Sequence, residues 1–206
     1  MLSAVTIRME DGNDETAIAR VRRDLRPGDL GRIVAHHGDI YGPEYGVNRE
    51  FEAHVAAAVA SAAKRGWPGE REAVWIVEAN RRHAGSLALT EEPDGSAMVR
   101  FFVLDAELRG QGLGRRLLEE LLALAERLGY ERIGLETFSD LTAAAHLYRE
   151  HGFELISADT RPRWGRESIT YQRYEATRYE ARFQRFAQVR NSRSAGDSAR
   201  PFSVSA

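Results

Sequence analysis

The stretch Phe101-Phe-Val-Leu-Asp-Ala-Glu-Leu-Arg-Gly-Gln-Gly-Leu-Gly-Arg-Arg116 sets the architecture: an apolar strand, a basic glycine-rich turn and the start of a strong helix. The order of these parts has a chemical meaning. The first amides of a helix have no intrahelical acceptor and lie at the positive end of its dipole, so a phosphate placed there gains several hydrogen bonds together. Gly110, Gly112 and Gly114 let the backbone approach such a ligand with no Cβ in the way, and Arg109, Arg115 and Arg116 add positive charge. An ordinary strand-to-helix loop has the same outline, but two specialised loops are excluded. A Walker loop ends in Gly-Lys-Ser/Thr, where this one reads Gly114-Arg115-Arg116. A dinucleotide fingerprint spaces its glycines GxGxxG within a parallel βαβ unit, whereas these are evenly spaced and follow what reads as an antiparallel meander.

The meander lies just upstream. Ala73 to Ala79, Gly85 to Thr90 and Ala97 to Asp105 are short apolar runs joined by polar connections, the second containing Pro-Asp-Gly. Downstream, Leu113, Leu117, Leu118, Leu121, Leu122, Ala125 and Leu128 recur at helical spacing until Gly129. Ile133 to Phe138 then reads as a strand, Leu141 to His151 as a short helix ended by Gly152, and Phe153 to Ala158 and Ser168 to Tyr174 as two closing strands. Nearer the N-terminus, Ile18, Val21 and Leu25 indicate a first strand stopped by Pro27-Gly28, with Asp29 placed to cap a helix through Leu30, Ile33 and Val34. His36 to Gly46 holds two glycine-marked turns and two tyrosines, and a second helix follows Asn48, with Phe51, Val55, Ala58, Val59 and Ala62 on one face. The expected fold class is mixed α/β (α+β): one domain over residues 17–176, with a mostly antiparallel sheet flanked by helices, after a flexible arm at 1–16 and before a partly disordered basic extension at 177–206.

Composition narrows the function classes. With 206 residues, 43% of them hydrophobic, the chain can bury one substantial core. Its 29 basic and 31 acidic residues leave a formal charge of −2, which gives no global field toward nucleic acid or anionic lipid. The absence of cysteine removes disulfides, thiolate metal sites and a Cys nucleophile. No apolar run approaches the roughly 20 residues of a membrane span, and the expected location is the cytoplasm. Lys64 is the only lysine beside many arginines, a bias that fits a GC-rich bacterial genome.

Two motifs carry a family resemblance. Arg109-x-x-Gly112-x-Gly114 matches the Arg/Gln-x-x-Gly-x-Gly/Ala motif of the GNAT superfamily of N-acetyltransferases, and Tyr148-x-x-x-Gly152-Phe153 matches its second signature. The resemblance covers roughly Ala17 to Glu175. The Gly38 to Gly46 segment further resembles the acetyltransferase domains that some bacteria fuse to a MarR-type regulator, although no such regulator is present here. The pattern departs at Leu141, where many members carry Asn. What the resemblance implies is a GNAT fold with a splayed sheet, acetyl-CoA as cosubstrate without a metal, and an acyl-CoA-dependent N-acyltransferase. It places backbone groups of Phe102, Val103 and Leu104 on the pantetheine arm, and the loop Arg109, Gly110, Gln111, Gly112, Leu113, Gly114 and Arg115 on the pyrophosphate. Phe102 and Leu104 also read as ordinary core strand residues.

Acyl transfer from a thioester to an amine needs a neutral nucleophile and a leaving thiolate that is protonated or stabilised. Tyr148 resembles the family's general acid; a Tyr on a short amphipathic helix is also a common core residue. An alkylammonium has a pKa near ~10, so a base or water chain must take its proton, and Glu136 is the leading candidate against the reading of an exposed strand carboxylate. Tyr41, Tyr45 and the adjacent His36 and His37 lie in the segment expected to cover the acceptor, although neighbouring histidines on a helix diverge and make poor joint metal ligands. Arg100 would bind an acceptor carboxylate or stand in a surface ion pair. The expected partner is an amine acceptor, small molecule or peptide, with no nucleic acid and no membrane; a homodimer could form through Phe183, Phe186 and Val189, which alternate with Arg182, Arg185 and Arg190. The alternative from another class is a non-catalytic acyl-CoA-binding sensor or regulatory module, which Leu141 and the lack of an obvious base leave open.

Overall fold

The computed structural model describes residues 7–8 and 18–177. Eight strands form one sheet: β1 (Ile7–Arg8), β2 (Ile18–Arg22), β3 (Ala73–Ala79), β4 (Arg82–Glu91), β5 (Ala97–Leu104), β6 (Arg132–Phe138), β7 (Glu154–Arg163) and β8 (Arg166–Thr177), in the spatial order β1-β2-β3-β4-β5-β6-β8-β7. Four helices pack on it: α1 (Asp29–Tyr45), α2 (Arg49–Lys64), α3 (Leu113–Arg127) and α4 (Thr142–Glu150). This is the mixed α/β, mostly antiparallel arrangement expected. The basic segment from Tyr179 onward, with the dimer role assigned to it, lies outside the described residues.

The helices cover opposite faces. On one, Leu117, Leu118, Leu121 and Leu122 of α3 meet Trp75, Leu87, Leu89, Leu135 and Tyr174 of the sheet, together with Tyr148 of α4. A fully buried leucine here contributes on the order of 2 kcal/mol by transfer from water, and its truncation to Ala costs about 2–5 kcal/mol once the cavity is counted. On the other face, Ile33 and Tyr41 of α1 and Phe51, Val55 and Val59 of α2 pack on Val74, Ile76, Ala88, Val103 and Phe138.

Three local readings are corrected. First, Gly38, Gly42 and Pro43 do not mark turns, because α1 runs unbroken to Tyr45. Each interior glycine costs a helix about 1 kcal/mol, but Ile33, His37 and Tyr41 recur at four-residue spacing and are buried, which outweighs that cost. Gly38 also permits close approach of α2: a Cβ there would come within 3.2 Å of the Glu52 carboxylate. Second, Asp29 does not cap α1. Gly28 occupies that position at φ 93°, while the buried Asp29 carboxylate bonds Arg22 at 2.7 Å and the Arg26 amide at 2.7 Å. Third, within the segment read as an arm, Ile7–Arg8 pair antiparallel with Ile18 and Ala19.

One feature of the sheet positions the site. Every pairing is antiparallel except β5 with β6, which are parallel and joined only at Ala97–Val99 against Ile133–Leu135. The glycine turn thus does sit in a parallel βαβ unit, and it is the spacing of its glycines that separates it from a dinucleotide fingerprint. Beyond Val99 the two strands part. β5 also bulges there: its register against β4 shifts between Ser86 and Ala88, Phe101 adopts φ 53°, and Ser86 Oγ donates to Phe101 O at 2.6 Å.

Candidate active site

The parting of β5 and β6 opens a cavity of about 580 Å³ that runs from the glycine turn to the face beneath α2. Phe102, Val103, Leu104, Arg109, Gly110, Gly112, Gly114 and Arg115 line it from the turn side, and Tyr41, Tyr45, Arg100, Glu136 and Tyr148 line it from the other walls. Two expected contacts fall outside it. The Leu113 side chain is buried in the core, and Gln111 turns back to donate to Glu107 O at 2.7 Å, so only their amides remain to serve a ligand.

Gly110 and Gly112 have φ of 73° and 80°, and a Cβ on either would project into open space. No side chain caps α3, so its first amides are not taken by a side-chain acceptor, and Gly112 and Gly114 at this helix start line the cavity. The positive charge anticipated in the loop is partly neutralised. Arg109 makes two hydrogen bonds to the Glu44 carboxylate, at 2.7 and 2.9 Å, and a third to Leu104 O at 2.9 Å, while Arg115 pairs with Glu150 at 2.6 Å. Arg109 is therefore a brace between α1 and the turn.

Tyr148 lies in the opening, packed on Phe153 and Tyr174 at ring separations of 5.9 and 6.4 Å. Burial pushes its phenol well above the usual range, so it stays neutral at ordinary pH. The Gly152-Phe153 part of its motif has a structural reason: Gly152 takes φ 86°, which turns the chain and lets the Phe153 amide donate to Tyr148 O at 3.1 Å. Tyr41 is likewise buried and held neutral by burial, with Tyr148 next among the groups that raise it. Leu141 begins α4 with no side-chain cap and lines the cavity as an apolar wall.

The adjacent histidines diverge. His37 lines the cavity, its Nδ1–H donating to Ile33 O at 2.8 Å, and burial lowers its pKa to about 4. His36 points away, bonding Asp105 at 2.7 Å and meeting His83 edge-on at 5.0 Å. Among the described residues no group of three or more His, Asp or Glu could hold a metal ion.

Glu136 is exposed and accepts a hydrogen bond from Tyr171 at 2.9 Å. Arg100 donates to Thr90 at 3.2 Å and Glu92 at 2.9 Å. The tip of the β7–β8 hairpin closes this end: Trp164 O accepts from the Asn48 amide at 2.9 Å, and Arg166 bridges Tyr45 O and Asp140. His54, Phe138, Trp164 and Tyr171 also line the cavity. Sequence reasoning missed these four, since nothing local ties a hairpin tip or an α2 face to a turn many residues away.

Comparison with known proteins agrees with this geometry. Residues 32–153 match the profile of the acetyltransferase (GNAT) family. The chain is 42% identical over 82 residues to an uncharacterized protein of Mycobacterium leprae (strain TN), covering 40% of this chain and 21% of that one. It is 40% identical over 65 residues to N-alpha-acetyltransferase 80 of Mus musculus, covering 32% of this chain and 20% of that one. The chain thus spans about a fifth of the length of these curated relatives. Among solved structures, an acetyltransferase of the GNAT family from Staphylococcus aureus superposes with a TM-score of 0.60 at 14% identity, covering 77% of this chain and 98% of that one. No described helix is long and apolar enough to cross a membrane.

Proposed function

Because the chain belongs to the GNAT acetyltransferase family, we propose that it moves an acetyl group from acetyl-CoA to a primary amine by direct attack. The observation that carries this reading is the parting of β5 and β6, which puts the α3 N-terminus, the free edge of β5 and Tyr148 around one cavity. The amides of Gly110 to Arg115 take the pyrophosphate, and the peptide groups of Phe102 to Leu104 that β6 leaves unpaired take the amides of the pantetheine arm.

Glu136, whose carboxylate already accepts a hydrogen bond from Tyr171, receives the ammonium proton directly or through a water on its open side. The neutral nitrogen then forms its bond to the thioester carbonyl carbon, the C–S bond breaks, and the sulfur departs with the electron pair. A thiol titrates near ~8.5 and a phenol near ~10, and burial takes Tyr148 higher still. Complete proton transfer from Tyr148 to the thiolate is therefore uphill, and its main contribution is a hydrogen bond to the charge that develops on sulfur. Without cysteine, and with no serine in the cavity wall, the chain offers no obvious nucleophile for a covalent acetyl-enzyme.

The test is thiol release from acetyl-CoA with a mixed amine panel, beside calorimetric binding of CoA. Amine-stimulated release supports acetyl transfer. CoA binding with no stimulation by any amine favours the non-catalytic sensor, and failure to bind CoA rejects both.

A further inference from the structure

The cavity wall beneath α2 is aromatic and continuous. Tyr41, Phe51, His54, Phe138, Trp164 and Tyr171 all line the cavity, and they come from α1, α2, β6, the tip of the β7–β8 hairpin and β8. Trp164 is the centre of this wall: its ring lies 4.9 Å from Phe51, 5.4 Å from His54, 6.0 Å from Phe138 and 5.9 Å from Tyr171. Tyr41 carries the wall on toward Tyr148, at 4.9 Å from Phe51 and 5.9 Å from Phe138.

The charges along the cavity are not balanced. Every guanidinium in its lining is already met by a carboxylate: Arg100 by Glu92 at 2.9 Å, Arg109 by Glu44 at 2.7 Å and Arg115 by Glu150 at 2.6 Å. Asp140 is met in turn by Arg166 at 2.7 Å. Glu136 differs. Tyr171 donates to it at 2.9 Å, Arg173 stands across from it in the β6–β8 register, and no described residue forms an ion pair with it. Arg163 stacks on the Trp164 and Tyr171 rings, outside the lining, with Asp159 3.8 Å away. Burial holds His54 below the usual imidazole range, so it is mostly neutral at pH 7 and adds little positive charge.

A carboxylate without an ion-pair partner, at the edge of an aromatic wall, fits an ammonium group carried by a flat apolar body. An acceptor with its own carboxylate would instead meet Glu136 as a like charge, with every lining guanidinium already engaged. We propose that the acceptor is a small arylalkylamine that lacks a carboxylate, with its ring on Phe51, Phe138 and Trp164 and its ammonium beside Glu136, and that Trp164 sets this specificity. This rests on the acetyl-transfer reading above.

The experiment compares kcat/KM for phenethylamine with that for propylamine, which lacks the ring, and for phenylalanine, which adds the carboxylate, by thiol release from acetyl-CoA. Wild type is expected to favour phenethylamine over propylamine by about 100-fold, from burial of the ring, and over phenylalanine by about tenfold, from like-charge repulsion. Trp164→Leu should cut the ring preference about tenfold, and Trp164→Phe should restore part of it. CoA calorimetry on each variant verifies the fold. If Trp164→Leu does not bind CoA, His54→Ala, on the exposed edge of the same wall, replaces it and should lower the ring preference about threefold. Equal use of phenethylamine and propylamine by wild type, preference for phenylalanine, or a ring preference unchanged in the folded variant overturns the inference. Acetyl transfer still stands in those cases if any amine of the mixed panel releases thiol. If CoA binds and no amine at all releases thiol, the inference falls together with the reading beneath it.

Discussion

Arg109 grips Glu44 through two hydrogen bonds of 2.7 and 2.9 Å, across 65 residues of chain, and so joins α1 to the glycine turn that precedes α3. The same helix holds the other end of the turn's approach through His36 and Asp105. Both members of the Arg109–Glu44 pair are about one-third exposed, so its direct stability value is about 1 kcal/mol or less. Its larger effect should be on geometry. Glu44→Ala is expected to raise KM for acetyl-CoA several-fold with a small change in Tm, measured by steady-state kinetics and thermal unfolding. An unchanged KM would mean that Leu104 O alone keeps Arg109 and the turn in place.

Gly112 and Gly114 should respond differently to the same substitution. At φ 80°, Gly112→Ala introduces strain of about 1–2 kcal/mol in the turn and should weaken CoA binding in calorimetry. A Cβ at Gly114 would meet only Leu104 and Phe102, both at an ordinary 3.6 Å, so Gly114→Ala should leave the Tm unchanged or slightly raised. Equal destabilisation by the two would count against the left-handed turn.

Tyr148→Phe removes one hydroxyl from a packed ring, so affinity for CoA should hold while kcat drops about 100-fold. Because burial raises the phenol pKa, wild type should show no loss of rate from Tyr148 ionisation up to at least pH 10. Unchanged turnover in Tyr148→Phe would remove the hydroxyl from the mechanism.

Glu136→Gln should lower kcat/KM at neutral pH. It should recover toward wild type as pH approaches the amine's own pKa near ~10, where free base no longer has to be generated by the protein. A constant ratio of the two enzymes across pH 7–10 would exclude Glu136 as base.

His37 and His83 both have pKa values lowered by burial to about 4. In each, the folded value lies below the unfolded value of about 6.5, so the stability that the neutral ring provides is complete above pH 6.5 and is lost as pH falls toward 4. Urea unfolding between pH 7 and 4 should therefore show declining stability, with up to ~1.4 kcal/mol per pH unit for each histidine, and His83→Gln should flatten the slope. Identical slopes in wild type and variant would remove His83 from this dependence.

The legible parts were those with local physics. The leucine repeat of α3 has one face to bury whatever lies opposite, Gly112 and Gly152 are turns that need left-handed backbone, and the apolar runs of β3 to β5 pair as a meander. The sequence by itself therefore determined the element order, the glycine turn before α3 and the position of Tyr148. Only the tertiary structure decided that α1 continues through Gly38 and Pro43, since burial of Tyr41 against a distant sheet face outweighs a local preference for turns. It likewise decided that Arg109 braces α1, because Glu44 is found only once the chain has folded back. The cavity wall beneath α2 lies furthest from sequence reading: Glu136, His54 and Tyr171 come from three elements, and they share a surface only where those elements meet, because no single segment encodes that contact.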